Sequence, residues 1–358
     1  MVVPLDWGLG HATRCIPIIQ ELLSNGCEVI LAAENNIHSL LQHEFQQLTI
    51  IPVPGYRISY SRKQFWLPLR IFTQIPKILY RVYLEHQWLK KVEKKFKIDA
   101  VIADNRFGLF NKRIPCIYIT HQLLIKTGRD FTEKLAQRLH YRFIKKYDAC
   151  WVPDFEGDKN LAGELSHPAM LPGNVNYIGC LSRLDLKNQP KKDLELLIII
   201  SGPEPQRSIF ENIVLKQLQN YTGTAMLVRG LPGKGEKVAG SFSPDDFKDN
   251  IIIKNHLSAM ELNEAIFKAE WVISRSGYTT IMDLVKLKQK AILVPTPGQT
   301  EQEYLARHLM KKQFFFSVKQ EDFVLENVLK EVGSFPFSIP NFDMDLYKKK
   351  VRQFVESL

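Results

Sequence analysis

Short apolar runs alternate along the chain with stretches whose apolar residues recur every three or four positions. VVPLD (2–6) ends in a glycine-rich turn. ATRCIPIIQELLSNG (12–26) has helical spacing and stops at Asn25-Gly26, a helix C-terminal signal. CEVILAA (27–33), LTIIPV (48–53), DAVIAD (99–104) and IPCIYIT (114–120) read as buried strands, and a helical stretch follows at 131–146. The polar segment 181–195 carries a proline and reads as a linker, after which the alternation restarts. LELLIIIS (194–201) leads to a helix near 205–219, TAMLVRG (224–230), NIIIKN (250–255) and a helix near 258–268. EWVISRSG (270–277), a helix near 278–288, KAILVP (290–295) and a helix near 299–312 complete the series. The Lys-rich tail 345–358 reads as a terminal helix.

Strands alternating with helices predict an α/β architecture with parallel sheets covered on both faces. At ~150 residues per domain, 358 residues make two domains. The expected organisation is two doubly wound, Rossmann-like domains, 1–183 and 184–344, with 345–358 packing back on the first. Ligands in such sheets bind beyond the carboxyl ends of the strands, and two such domains facing each other form a cleft. Chemistry-bearing residues are therefore expected just after strands.

Composition changes this picture in one respect. Hydrophobic residues at 45% and charged residues at 24% are ordinary for a globular protein. The five cysteines are scattered with no CxxC, which argues against a zinc cluster or a disulfide framework and for a reducing compartment. No basic stretch followed by an apolar one opens the chain, and no apolar run reaches the ~18 residues of a spanning helix, so any membrane contact is expected to be peripheral. The unusual quantity is the net charge of +10. Segment 56–97 holds eleven basic residues against two acids, Glu85 and Glu93, which is nearly all of that excess. Interleaved with them are Phe65, Trp66, Leu67, Leu69, Ile71, Phe72, Ile75, Ile78 and Leu79. Basic and aromatic residues mixed on helices suit an anionic bilayer surface; they equally suit an amphipathic core helix with a solvated basic face. So local a patch is not a diffuse nucleic-acid footprint, and no finger or RNA-recognition signature appears, so no nucleic-acid partner is expected.

The first candidate site is DWGLGHATR (6–14), between the first strand and the first helix. Gly8 and Gly10 allow a tight turn near a helix N-terminus, a place suited to anions. His11 follows, and a histidine titrating near neutrality is a usual general base for an alcohol. A dinucleotide fingerprint with Glu34 as its ribose acid competes with this reading, but Thr13 stands where the third glycine belongs. Asp104, at the end of DAVIAD, is placed either to orient His11 as a dyad or to cap the following turn.

Three later strand-to-helix loops form a series. SGPEPQRS (201–208) offers Ser201, Gly202 and Arg207 to phosphate, or is a Pro-rich connector with a surface arginine. In SRSGYTTIMDL (274–284) small and hydroxylated residues open a helix, as a diphosphate requires, and Asp283 two turns in suits a ribose; an ordinary Ser/Thr cap is the plainer alternative. VPTPGQTEQEYLA (294–306) sets Gln302 and Glu303 in a first helical turn, where they either read sugar hydroxyls or complement the helix dipole. Phosphate, ribose and sugar in sequence fit a nucleotide-sugar. GLPGKGEK (230–237) lacks the spacing and hydroxyl of a phosphate-binding loop, and Asp343-Met344-Asp345 falls at a helix start, where capping is the simpler role than metal binding.

With these motifs the chain resembles the GT-B glycosyltransferases, in particular the MurG-like members of family 28 and the related monogalactosyldiacylglycerol synthases. The likeness rests on Gly-Leu-Gly-His, RSGYTTIMD and PTPGQTEQEY and runs in order over nearly the whole chain. It implies nucleotide binding by Arg275, Ser276, Gly277, Thr279 and Thr280, with Asp283 on the ribose. It puts Gln302 and Glu303 on the donor sugar, a uracil contact near His256-Leu257, and Gly10, Ser201, Gly202 and Arg207 around the donor. Glu303 replaces a family glutamine, SGPEPQRS departs from the family's GGSQGAR-like loop, and the first glycine loop is shorter. The implied reaction is a metal-free, inverting transfer from a UDP-sugar, by resemblance UDP-N-acetylglucosamine, with no cofactor. His11 would act as base and Asp104 as its support, on a lipid-linked or anionic glycan acceptor, in the cytoplasm at the inner face of the plasma membrane. A nucleotide-sugar epimerase and a non-catalytic binding protein of the same fold are the alternatives.

Overall fold

The computed structural model describes residues 1–6, 8–56, 67–185, 191–231 and 247–358, and the backbone alone for 67–75. The chain forms two compact units, 1–182 with 342–358, and 183–341.

The first unit contains β1 (Val2–Val3), α1 (Leu9–Ser24), β2 (Leu31–Ala32), α2 (Asn35–Glu44), β3 (Ile50–Ile51) and α3 (Leu67–Phe96). β4 (Val101–Asp104), β5 (Cys116–Ile119), α4 (Asp130–Ile144), β6 (Ala149–Val152) and β7 (Val175–Tyr177) follow. The strands lie in the order β3-β2-β1-β4-β5-β6-β7, with every neighbouring pair parallel. α1 begins three residues before the expected start at 12, so Gly10 and His11 lie in its first turn. Gly8 precedes it at φ +153, a conformation side chains rarely adopt. β6 and β7 escape sequence reading because each is short and flanked by polar residues, and Asn176 interrupts the second.

The second unit contains β8 (Leu194–Ile199), α5 (Gln206–Leu218), β9 (Ala225–Val228), β10 (Ile251–Lys254), α6 (Ala259–Lys268) and β11 (Ala269–Ser274). α7 (Tyr278–Lys286), β12 (Ala291–Leu293), α8 (Thr300–Lys311), β13 (Phe316–Ser317) and α9 (Leu325–Gly333) complete it. The order is β10-β9-β8-β11-β12-β13, again parallel throughout. The last helix, α10 (Leu346–Glu356), belongs to the first unit. There Arg352 approaches Glu21 of α1 at 3.8 Å, and Phe354 meets Trp151 edge-on at 5.5 Å.

Each sheet reverses its winding once, between β1 and β4 in the first and between β8 and β11 in the second. The crossovers on either side leave in opposite directions there, which opens a crevice at the carboxyl ends.

A buried polar network holds the edge of the first sheet. Arg106, fully buried just after β4, donates to the Pro4 carbonyl at 2.8 Å, the Pro54 carbonyl at 3.1 Å and Glu85 Oε1 at 2.6 Å. Tyr56 donates its hydroxyl to the other Glu85 oxygen at 2.6 Å. One of the two acids of the basic segment is thus an internal strut between α3 and three strand ends.

The second unit's apolar core gathers Leu196, Ile198 and Ile200 from β8 and the residue after it with Phe210, Val214, Leu218, Ile273 and Ile292. Ile198 is fully buried on a strand paired on both sides. Ile198→Ala is expected to destabilise this unit by about 2–5 kcal/mol, the usual cost of such a cavity. Urea unfolding followed on the variant checks it.

Candidate functional site

At the β1–β4 reversal, α1 delivers His11 and β4 delivers Asp104. His11 Nδ1 lies 3.0 Å from Asp104 Oδ2, with the imidazole 19% exposed and the carboxylate fully buried. Arg14, one turn along α1, grips the same carboxylate with both edges of its fork. Its Nε donates to Oδ2 at 2.9 Å, and its Nη2 makes a very short bond to Oδ1. Nη2 also lies 2.9 Å from His11 Nδ1, and Nη1 lies 3.1 Å from His121 Nδ1. Cys15 sets its sulfur 3.9 Å from Asp104 Oδ2.

Burial alone would raise the Asp104 carboxyl; Arg14 and His11 outweigh it and hold it down at about 2. Asp104 is therefore ionised at neutral pH. Burial and then the Arg14 charge push His11 below its ordinary value, against the pull of Asp104. His11 Nδ1 thus sits between a carboxylate that favours a proton on it and a guanidinium that disfavours one. With Nδ1–H donated to Asp104, Nε2 carries the lone pair of a general base.

Sequence reading found His11 and Asp104 and missed Arg14, Cys15 and His121. The i, i+3 and i, i+4 spacing of His11, Arg14 and Cys15 on one helix face was the signal available. Gly10, the second residue of α1, accepts the Thr13 hydroxyl at its carbonyl at 3.1 Å.

At the β8–β11 reversal of the second unit, Ser201 and Gly202 follow β8, Arg275, Ser276 and Gly277 follow β11, and Thr296 follows β12. Gly202 is exposed at φ +106. Ser276 donates its hydroxyl to the Gln302 carbonyl at 2.8 Å, and Gln302 Oε1 accepts the Thr296 N–H at 2.9 Å. Glu303 Oε1 accepts the Gly298 N–H at 2.8 Å. Gln302 and Glu303 thus shape the loop before α8 as well as standing in its first turn. Gly277 occupies the N-cap position of α7 with no capping side chain, and Tyr278, Thr279 and Thr280 form the first turn, where an anion is favoured. Asp283 is half-buried further along the same helix. Leu257 is buried between β10 and α6, beside a Ser258–Glu261 capping box.

Both arginines expected at the phosphate are turned inward. Arg207 pairs with Glu204 at 2.7 Å and Glu211 at 2.9 Å and donates to the Arg229 carbonyl at 3.2 Å. Its spacing to Glu211, one helical turn, explains the capture. Arg275 donates to the carbonyls of Val294 at 3.1 Å, Pro295 at 3.2 Å and Gln206 at 3.1 Å, and to Gln320 Oε1 at 2.6 Å. It binds the loops after β8, β11 and β12 together from beneath. Burial lowers its pKa to about 10, so it stays cationic at neutral pH.

Among the described residues no three His, Cys, Asp or Glu side chains gather as a metal-binding group. Asp343 accepts the Asp345 N–H at 3.1 Å and pairs with Lys349 at 2.9 Å, at the start of α10. Most of GLPGKGEK lies outside the described residues.

Residues 198–352 match the glycosyltransferase family 28 C-terminal domain. Over 345 residues, the chain is 24% identical to the UDP-N-acetylglucosamine--N-acetylmuramyl-(pentapeptide) pyrophosphoryl-undecaprenol N-acetylglucosamine transferase of Staphylococcus aureus strain MRSA252, covering 91% of this chain and 87% of that one. Among solved structures, the kitacinnamycin glycotransferase superposes with TM-score 0.63 at 13% identity, covering 99% of this chain and 94% of that one. MurG of Acinetobacter baumannii gives 0.54 at 14% identity, over 98% and 94%. Two parallel sheets with flanking helices, shared with these neighbours, are the GT-B fold. The likeness to family 28 thus rests on the matched C-terminal domain and on similarity to the Staphylococcus aureus transferase over nearly the whole chain.

The charge arrangement around His11 is testable without turnover. Removing a neighbouring cation favours the imidazolium, so Arg14→Met is expected to raise the His11 pKa in an NMR titration. Arg14→Lys, which keeps the charge, should leave it low. An unchanged value in Arg14→Met would contradict the assignment. Breaking this buried pair should also cost about 3–5 kcal/mol of stability.

Proposed function

We propose that the protein transfers N-acetylglucosamine from its UDP derivative to a hydroxyl of a lipid-linked or anionic glycan acceptor, with inversion and without a metal. The observation that carries the reading is the His11–Asp104 pair at the β1–β4 reversal, with its imidazole partly exposed and its carboxylate locked. His11 Nε2 takes the acceptor proton, and Asp104 stabilises the imidazolium that forms. The acceptor oxygen then displaces the diphosphate in one step, which inverts the anomeric carbon. Asp104 has both oxygens committed to Arg14 and His11, which suits a supporting acid and not a nucleophile. The leaving diphosphate is held by the amide end of α7, the Ser276-Gly277 turn and the Ser201-Gly202 loop, with Arg275 as a cation beneath. Thr279 and Thr280 add hydroxyls, Asp283 takes the ribose, Leu257 flanks the uracil, and Gln302 and Glu303 read the sugar. The name of the Staphylococcus aureus relative supports both the donor and a lipid-linked acceptor.

UDP release should require donor and acceptor together and persist in EDTA; loss of activity in EDTA would end the metal-free part. His11→Ala is expected to lower turnover by about 10²–10⁴-fold with UDP affinity nearly unchanged. Asp283→Ala should instead weaken UDP binding by about tenfold, the worth of one hydrogen bond at ~1.4 kcal/mol. Unaltered turnover in the first variant, or unaltered affinity in the second, removes the corresponding role.

The acceptor is proposed to be reached at the inner face of the plasma membrane, through the basic segment. Arg57, Arg62, Lys63, Phe65 and Trp66 lie outside the described residues, as do the side chains of Leu67, Leu69, Arg70, Ile71, Phe72 and Ile75. On the described part of α3, Lys77, Lys90, Lys91, Lys94 and Lys95 are exposed beside Leu79, Tyr80 and Tyr83. Its acids face elsewhere: Glu85 is buried against Arg106, and Glu93 accepts from Asn111 at 2.5 Å. No described helix is long and apolar enough to cross a membrane. Binding to anionic vesicles at low salt, falling as salt rises, is the expected result; no binding at low salt would end this part.

A further inference from the structure

Thr296 is 5% exposed, and its Oγ1 has no hydrogen-bond partner among the described residues. A buried hydroxyl without a partner destabilises a fold, and valine would fill the same space without that cost. The Thr296 backbone is also held: Pro297 restricts it, and its N–H is fixed by Gln302 Oε1 at 2.9 Å. Oγ1 lies 4.0 Å from the point where a side chain on Gly202 would begin, and Gly202 has none. The hydroxyl therefore faces the loop after β8, from the loop after β12, across the end of β11 where α7 starts.

A second observation at the same edge points to an anion. Arg275 is 1% exposed, and its partners among the described residues are carbonyls, a carboxamide and the face of Phe210 at 4.3 Å, with no carboxylate. Its Nε also has no partner among the described residues.

We infer that Thr296 Oγ donates a hydrogen bond to an oxygen of the donor's diphosphate, and that its hydroxyl is kept free of intramolecular bonds for that purpose. The inference rests on the donor reading above and gives a binding role to a residue to which neither the motif nor the resemblance assigned one. The residue is buried and its backbone is fixed, so little ordering of the loop is needed when the anion binds.

The test is calorimetric binding of UDP and of inorganic pyrophosphate to the wild-type protein, Thr296→Val and Thr296→Ser, with melting of each unliganded protein. Thr296→Val is expected to bind both probes about tenfold more weakly and to melt no lower than the wild type; Thr296→Ser should bind within about twofold of it. Equal binding by the wild type and Thr296→Val overturns this inference while leaving the donor site standing. So does a clear fall in melting temperature in Thr296→Val, because the hydroxyl would then be serving the fold. Failure of the wild type to bind either probe overturns the donor reading and this inference together.

Discussion

The reversal of winding in each parallel sheet is the constraint from which the sites follow. Successive crossovers run in one direction on one side of the reversal and in the other direction beyond it, so the two strand ends beside it are left without a covering connection. β1 and β4 are such a pair, and β8 and β11 are another. A strand end in that position exposes backbone amides and forces nearby polar side chains to find partners. The same geometry that creates a binding crevice therefore creates a local need for buried polar networks. Arg14, Arg106 and Arg275 meet that need, each reaching across at least two segments that end at the edge.

The Arg14–Asp104 pair illustrates how the need shapes chemistry. A buried ion pair gains little stability over apolar packing once desolvation is counted. What it supplies here is fixed orientation and charge. Asp104 is ionised and immobile, and His11 is held neutral by burial and by the adjacent guanidinium. Asp104 favours a proton on His11, against the burial and the Arg14 charge that disfavour it. Arg14 offsets that pull while keeping the carboxylate in line to receive Nδ1–H. The dyad read from two strand ends is better described as a triad in which the third member tempers the second.

Local pattern and long-range pairing divide what the sequence reveals. The helical and strand periods place nearly every element that supports a site, because parallel strands buried on both faces are continuous apolar runs. Residues at or just beyond strand ends, such as Asp104 and Ser276, are legible for the same reason, as is His11 in the helical turn after the first glycine loop. Arg14 was not, since it falls inside the helical pattern of α1 and not in the loop before it. Glu85 sits in the most basic stretch of the chain and reads as a solvated acid, yet it is buried against an arginine 21 residues further on. Arg207 reads as a phosphate ligand because it follows a strand, and one helical turn later Glu211 captures it. Spacing along the chain indicates where a charged side chain begins, whereas its end point is decided by which opposite charge the fold brings near.

Charge pairing also separates the buried arginines. Arg14 has Asp104, Arg106 has Glu85, and Arg229 has Glu211, which it shares with Arg207. Arg275 has only neutral acceptors among the described residues, although it is as deeply buried as the others. A buried cation without an acid is costly, and the lowering of its pKa to about 10 by burial alone reflects that cost. Neutral dipoles satisfy its N–H groups without cancelling its charge. The remaining field extends to the edge where α7 presents its amide end, and the two add for an anion placed there. An acid beside Arg275 would stabilise the unliganded fold and weaken that field by the same interaction. The absence of an acid next to Arg275 among the described residues is therefore the feature of the second unit that most favours the proposed diphosphate site over a merely well-packed sheet edge.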